Sequence, residues 1–226
     1  MFTLRTTLYN LIVNMNEQEQ DDTLIVVYIG ESNEDEVQQI VEKIERSFQQ
    51  QLNKGLIDII APAANYYSDM DMSWQSKQNL DLAYLMAYAH AKGVFYVQLV
   101  DDIMTRRQFI TSMKRFALIK SALANPFQPS WIVLDFCEAG FIGKLLKATE
   151  LPYLITYLQL YYNDMSALDI LTHLIEAKMC RQVKKDKLQC QHLKTKLWQR
   201  FNSNLFYHIE NISLEDKLKL QLGGED

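Results

Sequence analysis

The chain has 226 residues, 48% of them apolar and 23% charged, with a formal net charge of −5. That mixture is ordinary for a globular domain and excludes a disordered or fibrous chain, and the acidic balance argues against a general nucleic-acid surface, because neutralising phosphates needs a basic excess. A membrane span needs roughly 20 apolar residues in a row; the longest candidate, LPYLITYLQLYY at 151–162, stops short and carries Gln159.

Residues 1–15, MFTLRTTLYNLIVNM, put Leu4, Leu8, Leu11, Ile12 and Met15 on one helical stripe and lack the small-residue cleavage site of a signal peptide, so they read as a core helix. TLIVVYIG (23–30) is a β-branched run ending at glycine, which predicts a strand buried on both faces. A helix should follow. Ser32 or Asn33 can cap it, Glu34, Asp35 and Glu36 suit its positive end, and Val37, Ile40, Val41, Ile44, Phe48 and Leu52 form its apolar stripe. Gly55 closes it. LIDII (56–60) is a second strand ended by Pro62, and 61–73 is a loop. From Trp74 to Ala91 the pattern is helical, with Leu82, Leu85, Met86 and Ala89 at the required spacing and Gly93 past the end. VFYVQL (94–99) is a third strand, 106–124 a helix and SWIVLDF (130–136) a fourth strand. The remainder reads as mostly helical, with NLFYHI (204–209) extended. Strands alternating with helices predict an α/β domain, residues 1–210, with right-handed crossovers and a largely parallel sheet, followed by a tail at 211–226.

Such a sheet binds ligands beyond the carboxyl ends of its strands, where Glu31, Asp101, Asp102 and Asp135 would emerge. Two adjacent aspartates leaving a buried strand suit a hard divalent cation that keeps positions for water and substrate phosphates. Acidic residues also cap helices and turns at such positions, so the pattern leaves both roles open. The phosphate-loop and dinucleotide glycine signatures are absent, as is a serine nucleophile elbow, and the four histidines lack zinc-like spacing. Cys137 lies alone in an apolar run; Cys180 and Cys190 flank a charged loop, and for them the sequence alone leaves reduced thiols and a disulfide equally open. Asn211-Ile212-Ser213 is a glycosylation sequon.

Three segments carry a resemblance: WQSKQNLDLAYLMAYAHAKGVFYVQLVDDI (74–103), SWIVLDFCEAGFIGKLLK (130–147) and NLFYHI (204–209). From about Leu4 to His208 the chain resembles the N-acetylglucosaminyltransferase IV family, Golgi enzymes that add a β1,4-linked N-acetylglucosamine branch to the α1,3-mannose arm of N-glycans. The resemblance implies a type-A glycosyltransferase fold, a Rossmann-like and mostly parallel sheet flanked by helices, with the N-terminal strand missing. It also implies UDP-N-acetylglucosamine as donor, an N-glycan acceptor, manganese or another divalent metal, and a place in the Golgi lumen. On the matching positions, Asp102 is the metal-binding end of the family's Glu-Asp-Asp motif, Asp101 its middle member, and His208 a second metal ligand. Glu31 would face the uracil or ribose, and Lys77, Asn79 and Asp81 would line the nucleotide pocket. The segment from Asp135 to Lys144 would lie beneath donor sugar and acceptor, and Cys180 and Cys190 would pair.

The departures fall where the chemistry should be. The motif's glutamate is Val100, and the Asp-His pair that resembles the base position is Thr172-His173. Threonine does not accept the acceptor hydroxyl's proton at neutral pH, and loss of a positioned base typically costs about 10²–10⁴-fold in rate. Asp169, one helical turn earlier, and His173 are the remaining candidates. A basic position before Lys77 is Gln75, and a glycine after His208 is Glu210. Two functions follow: a transferase domain of N-glycan branching, or a non-catalytic relative that regulates Golgi N-acetylglucosaminyltransferases by association.

Overall fold

The computed structural model describes residues 2–63, 65–67, 72–123, 131–180 and 187–211. In chain order its elements begin with α1 (Phe2–Val13), α2 (Glu17–Asp21), β1 (Ile25–Tyr28), α3 (Glu34–Asn53), β2 (Ile57–Ile60) and α4 (Trp74–Ala89). Then come β3 (Phe95–Gln98), β4 (Ile103–Thr105), α5 (Phe109–Ala122), β5 (Val133–Asp135) and β6 (Lys144–Lys147). The last are α6 (Leu151–Leu160), α7 (Ala167–Cys180), α8 (Lys187–Leu197), β7 (Trp198–Arg200) and β8 (Phe206–His208). These form two compact units, one of Met1–Asp22, Val97–Lys147 and Ile175–Asp226, the other of Thr23–Tyr96 and Ala148–Leu174. Among the described residues no helix is long and apolar enough to cross a membrane. Apart from Asn211, the tail expected at 211–226 lies outside the described residues.

The second unit is built on a β1-α3-β2 crossover. The two strands pair in parallel, Ile25 beside Ile57 through Tyr28 beside Ile60. Of the two residues able to cap α3, Asn33 does so, accepting the N–H groups of Asp35 (2.9 Å) and Glu36 (3.3 Å). Three acidic residues in the first turn then meet the positive end of the helix dipole. Ile44 and Phe48 are buried on its inner face. Gly55 ends it with φ +74°, a left-handed position that a side chain disfavours. Alternate residues of a strand face opposite ways: Val27 and Ile29 are buried while Val26 and Tyr28 are half-buried, so one face of β1 is enclosed and not both. Helix α4, capped by the Ser73 hydroxyl on the N–H of Ser76 (3.1 Å), packs against α6 through Leu82, Met86, Leu151, Leu154 and Leu158.

The first unit buries Leu8, Leu11, Ile12 and Met15 of α1, as the stripe predicts. Its main sheet has the order β3-β6-β5-β7, with β5 antiparallel to β6 and parallel to β7. A separate antiparallel ladder joins β4 to β8. Phe116, Phe136 and Phe201 pack edge to face or tilted, with ring centres 5.2–5.7 Å apart. Helix α5 starts at Phe109, later than the expected 106, because Gln108 adopts a left-handed φ of 54° that interrupts any helix.

The fold is therefore mixed α/β, but the expected largely parallel sheet is three small sheets among the described residues, with parallel and antiparallel pairs together. The reason is local. Gly140 and Gly143, both at positive φ, turn the chain straight back after β5, and a short return forces β6 to run antiparallel to its predecessor.

Candidate functional site

In the first unit, the aspartate pair occupies the turn between β3 and β4. The β4-β8 register sets Ile103 opposite His208, so the residue before Ile103 projects beside the imidazole. The Asp102 carboxylate lies 2.9 Å from His208 Nδ1, and its backbone carbonyl accepts the N–H of Ile209 at 2.8 Å. Both side chains are partly exposed. Asp101 is exposed and points differently: its carboxylate lies 3.5 Å from the Thr3 hydroxyl. Thus Asp102 and His208, expected as ion ligands, are brought together by the fold.

One carboxylate and one imidazole are a sparse donor set. Among the described residues no three His, Cys, Asp or Glu side chains gather as a metal site. An ion held here would need further ligands from water or from a bound molecule, which is how magnesium-like ions bind with substrate phosphates. The pair fits a cation whose coordination is completed by water or a bound molecule and does not fit a self-sufficient structural metal site, which usually takes four protein ligands.

Asp135 and Lys144, also in the first unit, form a closed internal network. Lys144 has 2% of its side chain exposed, and Nζ donates to Asp135 Oδ1 (2.7 Å), the Cys137 carbonyl (2.6 Å) and the Ile142 carbonyl (3.1 Å). That engages all three ammonium protons. Asp135 also accepts the Cys137 N–H at 3.2 Å and the Trp198 indole N–H at 3.2 Å. The pair holds the turn from Cys137 to Gly143, and burial of both charges is tolerated because each is matched. Gly143 lets this turn lie flat: a Cβ there would come within 2.9 Å of both Cys137 Cβ and a Phe206 ring carbon. Cys137 is a free, buried thiol.

The second unit holds a different cluster at the end of β1. Lys77 donates to the Gly30 carbonyl at 2.6 Å and to Asp81 at 2.8 Å, and its ammonium lies 4.6 Å from the Tyr67 ring centre. Asp81 accepts hydrogen bonds from the hydroxyls of Tyr28 (2.9 Å) and Tyr67. Burial pushes both phenols above the ordinary tyrosine range, and the bonds that tie them to Asp81 add to the shift. Asn79 stands on another face of α4, as its spacing from Lys77 and Asp81 requires. It is fully buried and donates to the carbonyls of Tyr162 (2.9 Å) and Met165 (2.8 Å). Glu31, just past Gly30, is exposed. Tyr28 and Tyr67 were not anticipated; the Tyr66-Tyr67 pair in a loop with no other aromatic residue was the available signal.

The two candidate bases have structural partners in the same unit. The Ser166 hydroxyl caps the start of α7, accepting the Asp169 N–H at 3.2 Å, and donates to the Asp169 carboxylate at 2.6 Å. His173 packs against the rings of Tyr157 (6.0 Å) and Tyr161 (5.5 Å). Cys190 is disulfide-bonded; the side chain of Cys180, its expected partner, lies outside the described residues.

Residues 2–222 match the profile of the MGAT4 conserved region. The chain belongs to that family. It is 34% identical over 218 residues to alpha-1,3-mannosyl-glycoprotein 4-beta-N-acetylglucosaminyltransferase A of Gallus gallus, covering 91% of this chain and 39% of the relative. The corresponding protein of Mus musculus is 34% identical over 215 residues, 90% of this chain and 39% of the relative. The B form of Danio rerio is 34% identical over 220 residues, 91% and 39%. The chain thus spans about two fifths of the length of these MGAT4 relatives. No solved structure matches. Membership of the family expected from the 74–103, 130–147 and 204–209 segments is borne out.

Proposed function

We propose that this domain binds a UDP-sugar with a divalent cation, manganese in the first instance, and serves transfer of N-acetylglucosamine to the mannose arm of N-glycans in the Golgi lumen. The observation that carries the reading is the 2.9 Å pairing of Asp102, in the β3-β4 turn, with His208 at the end of β8, two partly exposed side chains whose remaining donor atoms suit an ion shared with a diphosphate. The relatives' names supply the reaction class, and the β1-α3-β2 parallel crossover suits the Rossmann-like half of a type-A glycosyltransferase.

Asp102 and His208 would hold the ion, which neutralises charge on a diphosphate leaving group when bound. Asp135 and Lys144 fix the turn expected beneath donor sugar and acceptor. The roles of Asp101, Glu31, Lys77 and Asp81 toward the donor belong to the same proposal, each testable by its own substitution; Asn79, expected beside them, is fully buried and holds the carbonyls of Tyr162 and Met165 instead.

Val100, Thr172 and the bonding of the Asp169 carboxylate to the Ser166 hydroxyl favour a second reading, a non-catalytic relative that regulates other Golgi N-acetylglucosaminyltransferases by association. Calorimetric titration of UDP, with manganese and with chelator, separates the possibilities when followed by assay of a biantennary acceptor. The transferase reading expects metal-dependent binding, its loss in Asp102→Asn, and product. Binding without product favours the regulator. Absence of metal-dependent binding in the wild-type protein defeats the transferase reading, and unchanged glycan profiles with no co-purifying Golgi transferase defeat the regulator.

A further inference from the structure

Helix α1 carries three polar residues on a buried face, Thr7, Asn10 and Asn14, each less than a tenth exposed and flanked by Leu8, Leu11 and Met15. Their spacing of three and four residues puts them on one side of the helix. Buried polar groups are costly unless paired, and these are paired with one short segment. The Asn10 side-chain oxygen accepts the Thr105 N–H at 2.7 Å, and the Asn14 amide donates to the Thr105 carbonyl at 3.1 Å. One turn along, the Thr7 hydroxyl accepts the Ile103 N–H at 3.1 Å and lies within donating distance of the carbonyls of Ile103 (3.0 Å) and Asp101 (2.9 Å). Strand β4 pairs with β8 along one edge. Along the other, where a neighbouring strand would serve a sheet, side chains of a helix meet its backbone groups.

Asp102 sits between the two backbone positions that Thr7 holds, and its own carbonyl is held by Ile209 on the β8 side. Three consecutive residues are therefore fixed from two directions, which sets where the Asp102 carboxylate leaves the chain. Packing alone does not call for a hydroxyl here, since valine has nearly the same shape as threonine.

We propose that Thr7 is a positioning residue for the ion site, clamping the Asp101–Ile103 turn so that Asp102 meets His208 at ligand distance. The proposal rests on the reading of Asp102 and His208 as ion ligands. Outer partners of metal ligands typically change affinity about 10–100-fold when lost.

The test uses the full natural chain with Thr7→Val, Thr7→Ser and, as a control for general loss of stability, Asn16→Ala, which removes the cap of α2. Manganese affinity is read by electron paramagnetic resonance of the free ion, the metal-free His208 ring by its nitrogen-15 shifts, and stability by melting. Thr7→Val is expected to weaken manganese about tenfold, at the lower end of that range, and to move the His208 Nδ1 signal. Thr7→Ser should keep both at wild-type values, and Asn16→Ala should melt earlier with affinity intact. Equal manganese affinity in wild type and Thr7→Val overturns the clamp alone; a wild type that binds no manganese overturns the ion-site reading and the clamp with it. If Thr7→Val does not fold, Thr7→Ala decides: manganese binding weakened about tenfold with a moved His208 signal supports the clamp, and wild-type values of both without the hydroxyl refute it.

Discussion

Replacing Lys144 with methionine tests whether the Asp135–Lys144 pair holds the protein or touches its ligand. Methionine keeps the length and apolar stem but removes the ammonium. Asp135 would then retain only the Cys137 N–H and the Trp198 indole, and the carbonyls of Cys137 and Ile142 would each lose a donor. Breaking a buried pair from one side costs roughly 3–5 kcal/mol, a large share of the roughly 5–15 kcal/mol that holds a typical protein folded. At about 2–4 °C per kcal/mol for a chain of this size, melting should fall by roughly 6–20 °C. The double variant Asp135→Asn/Lys144→Met leaves no stranded charge and should lose less than Lys144→Met alone. Urea unfolding followed by tryptophan fluorescence suits the measurement, because Trp198 is bonded to Asp135. A Lys144→Met protein that stays within about 1 kcal/mol of wild type yet loses UDP affinity would refute the holding role and make Lys144 a ligand contact.

Two further outcomes follow from the geometry. Tyr28 and Tyr67 keep their protons beyond the ordinary tyrosine value in the folded state. Above a pH of about 10 the unfolded chain has lost protons that the native one still binds, so stability is complete below that pH and declines as pH rises past it. The difference in 295 nm absorbance between wild type and Tyr28→Phe/Tyr67→Phe, recorded with circular dichroism, should show these two phenols ionising only as the fold is lost; a difference signal near pH 10 with the fold intact would contradict it. Gly143→Ala meets both a left-handed φ of +66° and atoms 2.9 Å away, whereas Gly140→Ala meets φ +46° in open space. Each incurs about 1–2 kcal/mol for handedness, and only Gly143→Ala should lose clearly more; equal melting shifts would disprove the close approach.

Helix α3 was legible because its cap, acidic first turn and apolar stripe all agree, and β1 and β2 because β-branched runs end at glycine or proline. Strand partners were not legible. The lysines at both ends of Lys144-Leu-Leu-Lys147 hide a strand, and Ile103–Thr105 is too short to show a period. Thr7, Asn10 and Asn14 escaped notice because the apolar stripe of α1 draws the eye to its leucines, while the polar face is buried only by what packs on it. Asp102 and His208 stand 106 positions apart, and no local spacing joins them; resemblance named them and the β4-β8 register brought them together. For Asp135 and Lys144 the residue types suited a ligand equally well, and burial, which spacing does not report, gives every proton of the lysine an internal acceptor.

The separation of β4 from β8 has a consequence during synthesis. Ile103–Thr105 leaves the ribosome long before Phe206–His208, so for that interval the strand lacks its sheet partner, and lone strand edges invite pairing with other chains. The helix that satisfies its other side, α1, emerges earlier still. A nascent chain can therefore shield half of this edge from the outset, leaving only the β8 side to wait for the carboxyl-terminal stretch.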